Sequence, residues 1–139
     1  MCNLVAELRD IMEDTKVELN NLYALMDEQY DVILDKDIIK MSELDKSITS
    51  VTKNIANLEF KRRSLIGNDK NLNDVLKELD NKELYELQKE IEVIIGMLQI
   101  QRDSNMKLLK QLLYFSNKMI NAIKPVDSYG TYNSKGLVK

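Results

Sequence analysis

The chain has 139 residues, of which 44% are apolar and 31% charged, so it can bury a sizeable core without disulfides or metal. It has no histidine and one cysteine, which excludes disulfide frameworks, the usual zinc ligand sets and histidine-based catalysis. The net charge of −3 disfavours a nucleic-acid-binding surface, because such a surface needs a basic field. We therefore expect protein partners, with no catalytic residues, no metal and no cofactor.

No segment approaches the roughly 18 uncharged apolar residues of a membrane helix. Charged residues also appear close to the N-terminus, before the apolar core of a signal peptide could form. The sequence therefore predicts a cytoplasmic protein without membrane insertion.

Apolar residues recur at alternating spacings of three and four in three long segments, which is the pattern of amphipathic helices in bundles and coiled coils. The predicted long helices cover about 4–34, 37–66 and 82–124, and a short helix covers 72–79. The predicted fold class is therefore all-α. Its architecture is an antiparallel bundle or coiled coil of three main helices within residues 1–124.

Two breaks separate the helices. The first falls at residues 35–37, where the apolar stripe changes phase and Asp37 can cap the next helix. The second lies between Gly67, a typical residue just past a helix end, and Asn71, another capping residue. One continuous helix through residues 35–37, which would dimerise, is the alternative to a hairpin.

Charge favours the hairpin. Residues 1–37 carry ten acidic and three basic residues, net −7, whereas residues 38–66 carry three acidic and six basic residues, net +3. Opposite charges on consecutive helices favour their pairing.

The second half of the last helix has a broader apolar face than one seam needs. Burial of this face would be favourable, so we expect it to contact the 72–79 helix, a second copy of the chain, or a client protein. Methionines would let such a surface repack around different partners. The residues of this candidate surface are Met106, Leu109, Leu113, Met119, Ile120 and Ile123.

Polar residues interrupt the seams. Thr15 and Gln29 lie on the stripe of the first helix, and Gln101 and Asn105 occupy successive positions of the last one. The two on the last helix form a polar layer of the kind that fixes the register of a bundle. The basic run 61–63 closes the second helix, where cations complement the helix dipole, so we interpret it as structural.

Pro125 ends the last helix, and the polar residues 125–139 predict a flexible C-terminal tail. This tail carries two tyrosines, Tyr129 and Tyr132. Aromatic side chains in such a segment are typical anchors for folding on a partner.

With these features together, the chain resembles the FlgN family of flagellar export chaperones. The resemblance begins in a Leu-rich first helix and covers nearly the whole chain. The positions that carry it are Leu19, Leu22, Leu25, Glu28, Tyr30, Asp37-Ile38-Ile39, Leu58-Glu59-x-x-Arg62, Asn105-x-x-Leu108-Leu109 and Tyr132-x-x-x-Gly136.

The resemblance implies a chaperone that binds hook-associated proteins 1 and 3 through their C-terminal helices and delivers them to the cytoplasmic domain of the flagellar export gate. It further implies that the apolar face of the last helix takes the client helix. Tyr132, or alternatively Tyr129, with Gly136, would then contact the gate.

A self-associating coiled-coil scaffold is the alternative function, and the sequence leaves a homo-oligomer open. An enzyme is disfavoured because the chain has no nucleophile–base pair and no phosphate-binding loop.

Overall fold

A computed structural model describes residues 2–123, 132–133 and 137–138. The described part up to residue 123 is helical apart from its turns. Its helices are α1 (Cys2–Asp35), α2 (Ile38–Ile66), α3 (Leu72–Leu79) and α4 (Lys82–Ile123). Two short strands follow, β1 (Tyr132–Asn133) and β2 (Leu137–Val138), which pair antiparallel with Tyr132 opposite Val138 and Asn133 opposite Leu137.

The helix is interrupted between α1 and α2, so the alternative of one continuous helix through residues 35–37 is wrong. Lys36 adopts the left-handed conformation with φ of 58°, and Asp37 is extended. The Asp37 carboxylate accepts a hydrogen bond of 3.1 Å from the backbone N–H of Lys40. This contact caps α2 as the sequence predicts, because it satisfies a backbone donor that the helix leaves unpaired.

The second break also has local causes. Gly67 has φ of 96°, a left-handed conformation that favours glycine, and its N–H donates to the Arg63 carbonyl oxygen. Asn71 then caps α3 by accepting from the N–H of Asn73 at 2.8 Å, and Asn81 accepts from the N–H of Leu84 at 3.1 Å. Side-chain oxygens therefore cap the starts of both helices.

One apolar core collects side chains from all four helices. Its most deeply buried members, Leu8, Met12, Leu76 and Leu84, are at most 1% exposed. The other buried members are Leu19, Ile66, Val75, Leu87, Ile91, Ile94 and Leu98.

Polar contacts indicate how the helices run. Residues 7–11 of α1 line one cavity together with residues 60–65 of α2. Residues 14–18 line the next cavity with residues 54–61, where Asn54 donates a hydrogen bond of 3.2 Å to Glu18. By contrast, α1 and α4 join at a constant offset of 74 residues, in the ion pairs Arg9–Glu83 at 3.5 Å and Lys16–Glu90 at 3.0 Å. In these contacts α1 and α2 run in opposite directions, whereas α1 and α4 run in the same direction.

The chain divides into two compact units, Met1–Asn105 and Met106–Lys139, so the boundary falls within α4. The apolar core lies in the first unit. The second unit contains helical residues 106–123 and the two short strands. The predicted boundary between a bundle and a tail at 124/125 stays a prediction, and the predicted helix end at Pro125 lies outside the described residues.

No helix in the described part of the chain combines the length and the apolar content that crossing a bilayer requires.

Candidate partner-binding surfaces

The six residues of the candidate surface on α4 lie in the second unit. Five of them are exposed, from 49% at Met106 to 77% at Ile123, and Leu109 is half-buried. Large apolar side chains at such exposure form a surface that another protein could cover.

Burial of the apolar stripe on α4 ends at Asn105, although the apolar pattern in the sequence continues beyond it. The stripe continues through Phe115 and Met119, but Asn105 is the last buried residue of this helix, and every residue from 106 to 123 is exposed or half-buried. Periodicity identifies the apolar face of a helix but not whether the chain itself covers that face. Phe115, at 55% exposure, therefore belongs to the open surface rather than to a core seam.

Tyr114 is a further exposed aromatic residue of this helical segment. Its side chain is 65% exposed, and the Lys118 ammonium lies 5.5 Å from the centre of its ring, a cation–π contact. It lies on the side of the helix that carries Lys118, away from the apolar face, so it does not belong to the candidate surface.

The predicted polar layer is present at the end of the first unit. Asn105 is only 4% exposed, and its amide nitrogen donates at 2.8 Å to both the Met26 carbonyl and the Gln29 side-chain oxygen. Its own oxygen accepts from the Gln101 amide at 2.9 Å. Gln29 and Gln101 are therefore joined through Asn105, whereas Thr15 donates to the Ile11 carbonyl oxygen within α1.

The Leu58-Glu59-x-x-Arg62 motif is an ion pair within α2. Arg62 donates to both carboxylate oxygens of Glu59, and Arg63 adds a bond of 2.9 Å. The hydrogen bond from Arg62 is the main reason that the pKa of Glu59 lies below its usual value. Burial opposes this lowering, and the hydrogen bond from Arg63 adds to it. Leu58 is buried. Arg62 and Arg63 of the basic run pair with Glu59 inside α2, whereas Lys61 does not, so a structural role for the whole run stays a prediction.

A groove between α1 and α2 was not anticipated. It contains two adjoining cavities of about 550 and 320 Å³, and Lys61 lines both of them. Phe60, 72% exposed, stands at the larger cavity. The only sequence signal for it is that Phe60 lies off the apolar stripe of its helix, on the polar side.

The residues predicted to contact an export gate lie in the C-terminal part of the chain. Tyr132 belongs to β1, whereas Tyr129 and Gly136 lie outside the described residues. Among the described residues, no three acidic or cysteine side chains converge as a metal-ligand set.

In comparisons with known proteins, a family model described as FlgN protein matches residues 1–139, the whole chain. No curated protein and no solved structure matches.

Proposed function

The chain belongs to the FlgN family of flagellar export chaperones, and from this membership we propose that it binds the C-terminal helices of hook-associated proteins 1 and 3 in the cytoplasm and delivers them to the export gate. The exposed apolar face of helical residues 106–123 is the observation that carries this proposal. The cytoplasmic domain of the gate is the proposed second partner.

The chemistry of this face suits a helical client. Its apolar residues recur at helical spacings, so an amphipathic partner helix could pack along it and exclude water from both surfaces. Met106 and Met119 are both 49% exposed, and their unbranched side chains can adapt to more than one client sequence.

The first unit supplies a stable base in this proposal. Its three long helices would form an antiparallel bundle whose core ends at the polar layer around Asn105. Because that layer satisfies its own hydrogen bonds, no side-chain nitrogen or oxygen buried in the described part of the chain lacks a partner. Partner binding would then not need to compensate an unpaired group there.

The proposed gate contact uses Tyr132, with Tyr129 as the alternative and Gly136 as the neighbouring family position. Its support is the match to the family's Tyr-x-x-x-Gly pattern. Client and gate would thus bind different parts of the second unit.

Calorimetric titration of the purified chain with the C-terminal segment of a hook-associated protein from the same source tests the client assignment. We expect Leu113→Asp or Ile120→Asp to weaken binding by more than about 2 kcal/mol, because an unpaired carboxylate would be desolvated at the centre of the contact. Both side chains are exposed in the free chain, at 56% and 58%, so far-ultraviolet circular dichroism should remain unchanged.

Val93→Asp is the matched control. Val93 is an equally exposed apolar residue of the same helix, at 62%, but it belongs to the first unit. It should leave client affinity unchanged, whereas Leu87→Asp should unfold the chain because Leu87 is 3% exposed within the core. Normal affinity in the Leu113 and Ile120 variants, or an equal loss in Val93→Asp, would reject this face as the client site.

A further inference from the structure

Helical residues 106–123 differ in charge from the preceding part of α4. Residues 82–105 carry five acidic and three basic residues, net −2, whereas residues 106–123 carry three lysines and no acidic residue, net +3. The lysines are Lys107, Lys110 and Lys118. All three are exposed, and none of them forms an ion pair with the described part of the chain. The charge of the helix therefore changes sign where its burial ends.

The lysines and the apolar residues of this segment occupy opposite sides of the helix. At about 100° of rotation per residue, the apolar side chains cover about 200° of arc, and the three lysines fall within about 80° on the opposite side. Ser116 is the only polar residue on the apolar side. Leu112 and Phe115 extend the candidate surface there, and all of its residues are exposed or half-buried. The segment is therefore a basic amphipathic helix with a broad apolar face.

An anionic phospholipid bilayer suits both sides of such a helix at once. A helix lying in the plane of the interface buries its apolar side chains at the boundary between headgroups and acyl chains. Its lysines need no individual partners, because a negative surface attracts them over a Debye length of ~8–10 Å. A groove in a folded protein would cover the apolar face and leave the lysines, on the far side, without a counter-charge.

The length and the lysine positions of the segment favour an orientation along the membrane surface. At ~1.5 Å of rise per residue, residues 106–123 extend over about 27 Å, which is about five turns of apolar surface. No helix in the described part of the chain is long and apolar enough to cross a bilayer. A spanning orientation would also place lysines in the acyl region, where a charge is costly.

We propose that helical residues 106–123 bind the surface of an anionic phospholipid bilayer when no client is present. The apolar face enters the bilayer between the headgroups, and the three lysines are attracted by the negative surface. The proposal rests on the proposed function in one respect, which is that the bilayer and the client cover the same apolar face. The two therefore compete, and client binding releases the chain from the bilayer.

Flotation of the full chain with phospholipid vesicles tests the proposal. We expect the chain to float with vesicles made of equal parts of phosphatidylcholine and phosphatidylglycerol. It should bind vesicles of phosphatidylcholine alone at least about tenfold more weakly, because a neutral surface does not attract the lysines. Added salt should weaken binding to the anionic vesicles, since it screens this attraction. A chain that does not float with anionic vesicles, or floats equally well with both kinds, overturns the proposal.

The variant Lys107→Gln/Lys110→Gln/Lys118→Gln tests the basic side of the helix. It should bind anionic vesicles at least about tenfold more weakly than the wild type, because three attracted charges are removed. Its client affinity should equal that of the wild type, because the lysines lie away from the face that the client covers. Flotation equal to that of the wild type overturns the proposal, and a loss of client affinity overturns the separation of the two sides.

Matched variants control for net charge and for folding. Lys40→Gln/Lys46→Gln/Lys53→Gln makes the same change in charge at exposed positions of α2, and it should float like the wild type. Leu113→Asp places a carboxylate in the apolar face and should abolish flotation, whereas Val93→Asp, at an equally exposed position of the first unit, should not. Equal effects of the two triple variants, or of the two aspartate variants, overturn the proposal. Circular dichroism checks that every variant is folded.

The client segment separates this result from the proposed function. Adding it should release the chain from anionic vesicles, and a segment that floats only together with the chain would overturn the competition. A chain that binds the client but not the vesicles would reject only the membrane contact, whereas one that binds the vesicles but never the client would reject only the client assignment. Sedimentation velocity without vesicles should show a monomer. A dimer that Leu113→Asp abolishes would assign the apolar face to a second copy and overturn the proposal.

Discussion

The side-chain amide of Asn105 donates a hydrogen bond of 2.8 Å to the side-chain oxygen of Gln29, which lies 76 residues earlier in the chain. This bond joins α4 to α1 at a position where Asn105 is almost fully buried. A shift of one helix along the other would leave a buried amide without its partners, which costs more than the bond itself contributes. The pair therefore specifies the register of α1 and α4.

Asn105→Ala should lower the free energy of unfolding by about 1–3 kcal/mol, because the Gln29 and Gln101 side chains lose their buried partner. Urea unfolding followed by circular dichroism measures the change. Asn20→Ala, at an exposed position of α1, is the control and should stay within about 0.5 kcal/mol of the wild type. Equal effects of the two substitutions would contradict the role of the polar layer.

Asp37→Ala should destabilise the chain by about 1 kcal/mol, because the N–H of Lys40 loses its capping carboxylate. Asp35→Ala is the contrasting variant. Asp35 is the last residue of α1, where a negative charge opposes the helix dipole, so its removal should be neutral or slightly stabilising. The urea midpoints of the two variants should therefore move apart, and a common shift would argue against capping by Asp37.

The Glu59–Arg62 pair should make stability depend on pH. The pKa of Glu59 is lowered in the folded chain, so the unfolded state binds the proton more tightly. Its stabilising contribution is complete above the unfolded pKa of ~4.3 and is lost as the pH falls through the lower pKa of the folded state. Glu59→Gln and Arg62→Met should each reduce the slope of stability against pH in this acidic range. Unchanged slopes in both variants would contradict the stabilising role of the pair.

Tyr132→Ala should weaken binding to the cytoplasmic domain of the export gate and reduce secretion of hook-associated proteins, while client affinity stays unchanged. The reason is that the proposed anchor for the gate is separate from the client face. Pull-down with each partner measures both interactions, and Tyr129→Ala tests the alternative anchor. A variant that loses the client but keeps the gate would reverse the assignment, and retention of both would exclude Tyr132 as an anchor.

The breaks at residues 35–37 and 67–71 could be predicted because their causes are local. Asp37 and Asn71 cap helices through bonds to residues two or three positions away, and Gly67 takes a backbone conformation that few other residues tolerate. Such signals are contained in a few consecutive residues. They depend little on how the helices pack together.

Features that arise between distant residues could be predicted only in part. Gln29 and Asn105 are each recognisable as polar positions on an apolar stripe, but their pairing depends on the register of two helices. Phe115 continues an apolar stripe whether or not the chain covers it, so its exposure is not encoded in periodicity. The groove beside Phe60 exists only because α2 folds back along α1, and no single segment contains it.

The two ion pairs between α1 and α4 restrict the insertions and deletions that these helices can accept. Arg9–Glu83 and Lys16–Glu90 have the same offset of 74 residues and lie one heptad apart. An insertion or deletion in one helix alone would rotate or shift every later contact, whereas seven residues added to each long helix would preserve the facing sides. We therefore expect relatives with longer or shorter helices to differ by coordinated multiples of about seven residues in α1, α2 and α4.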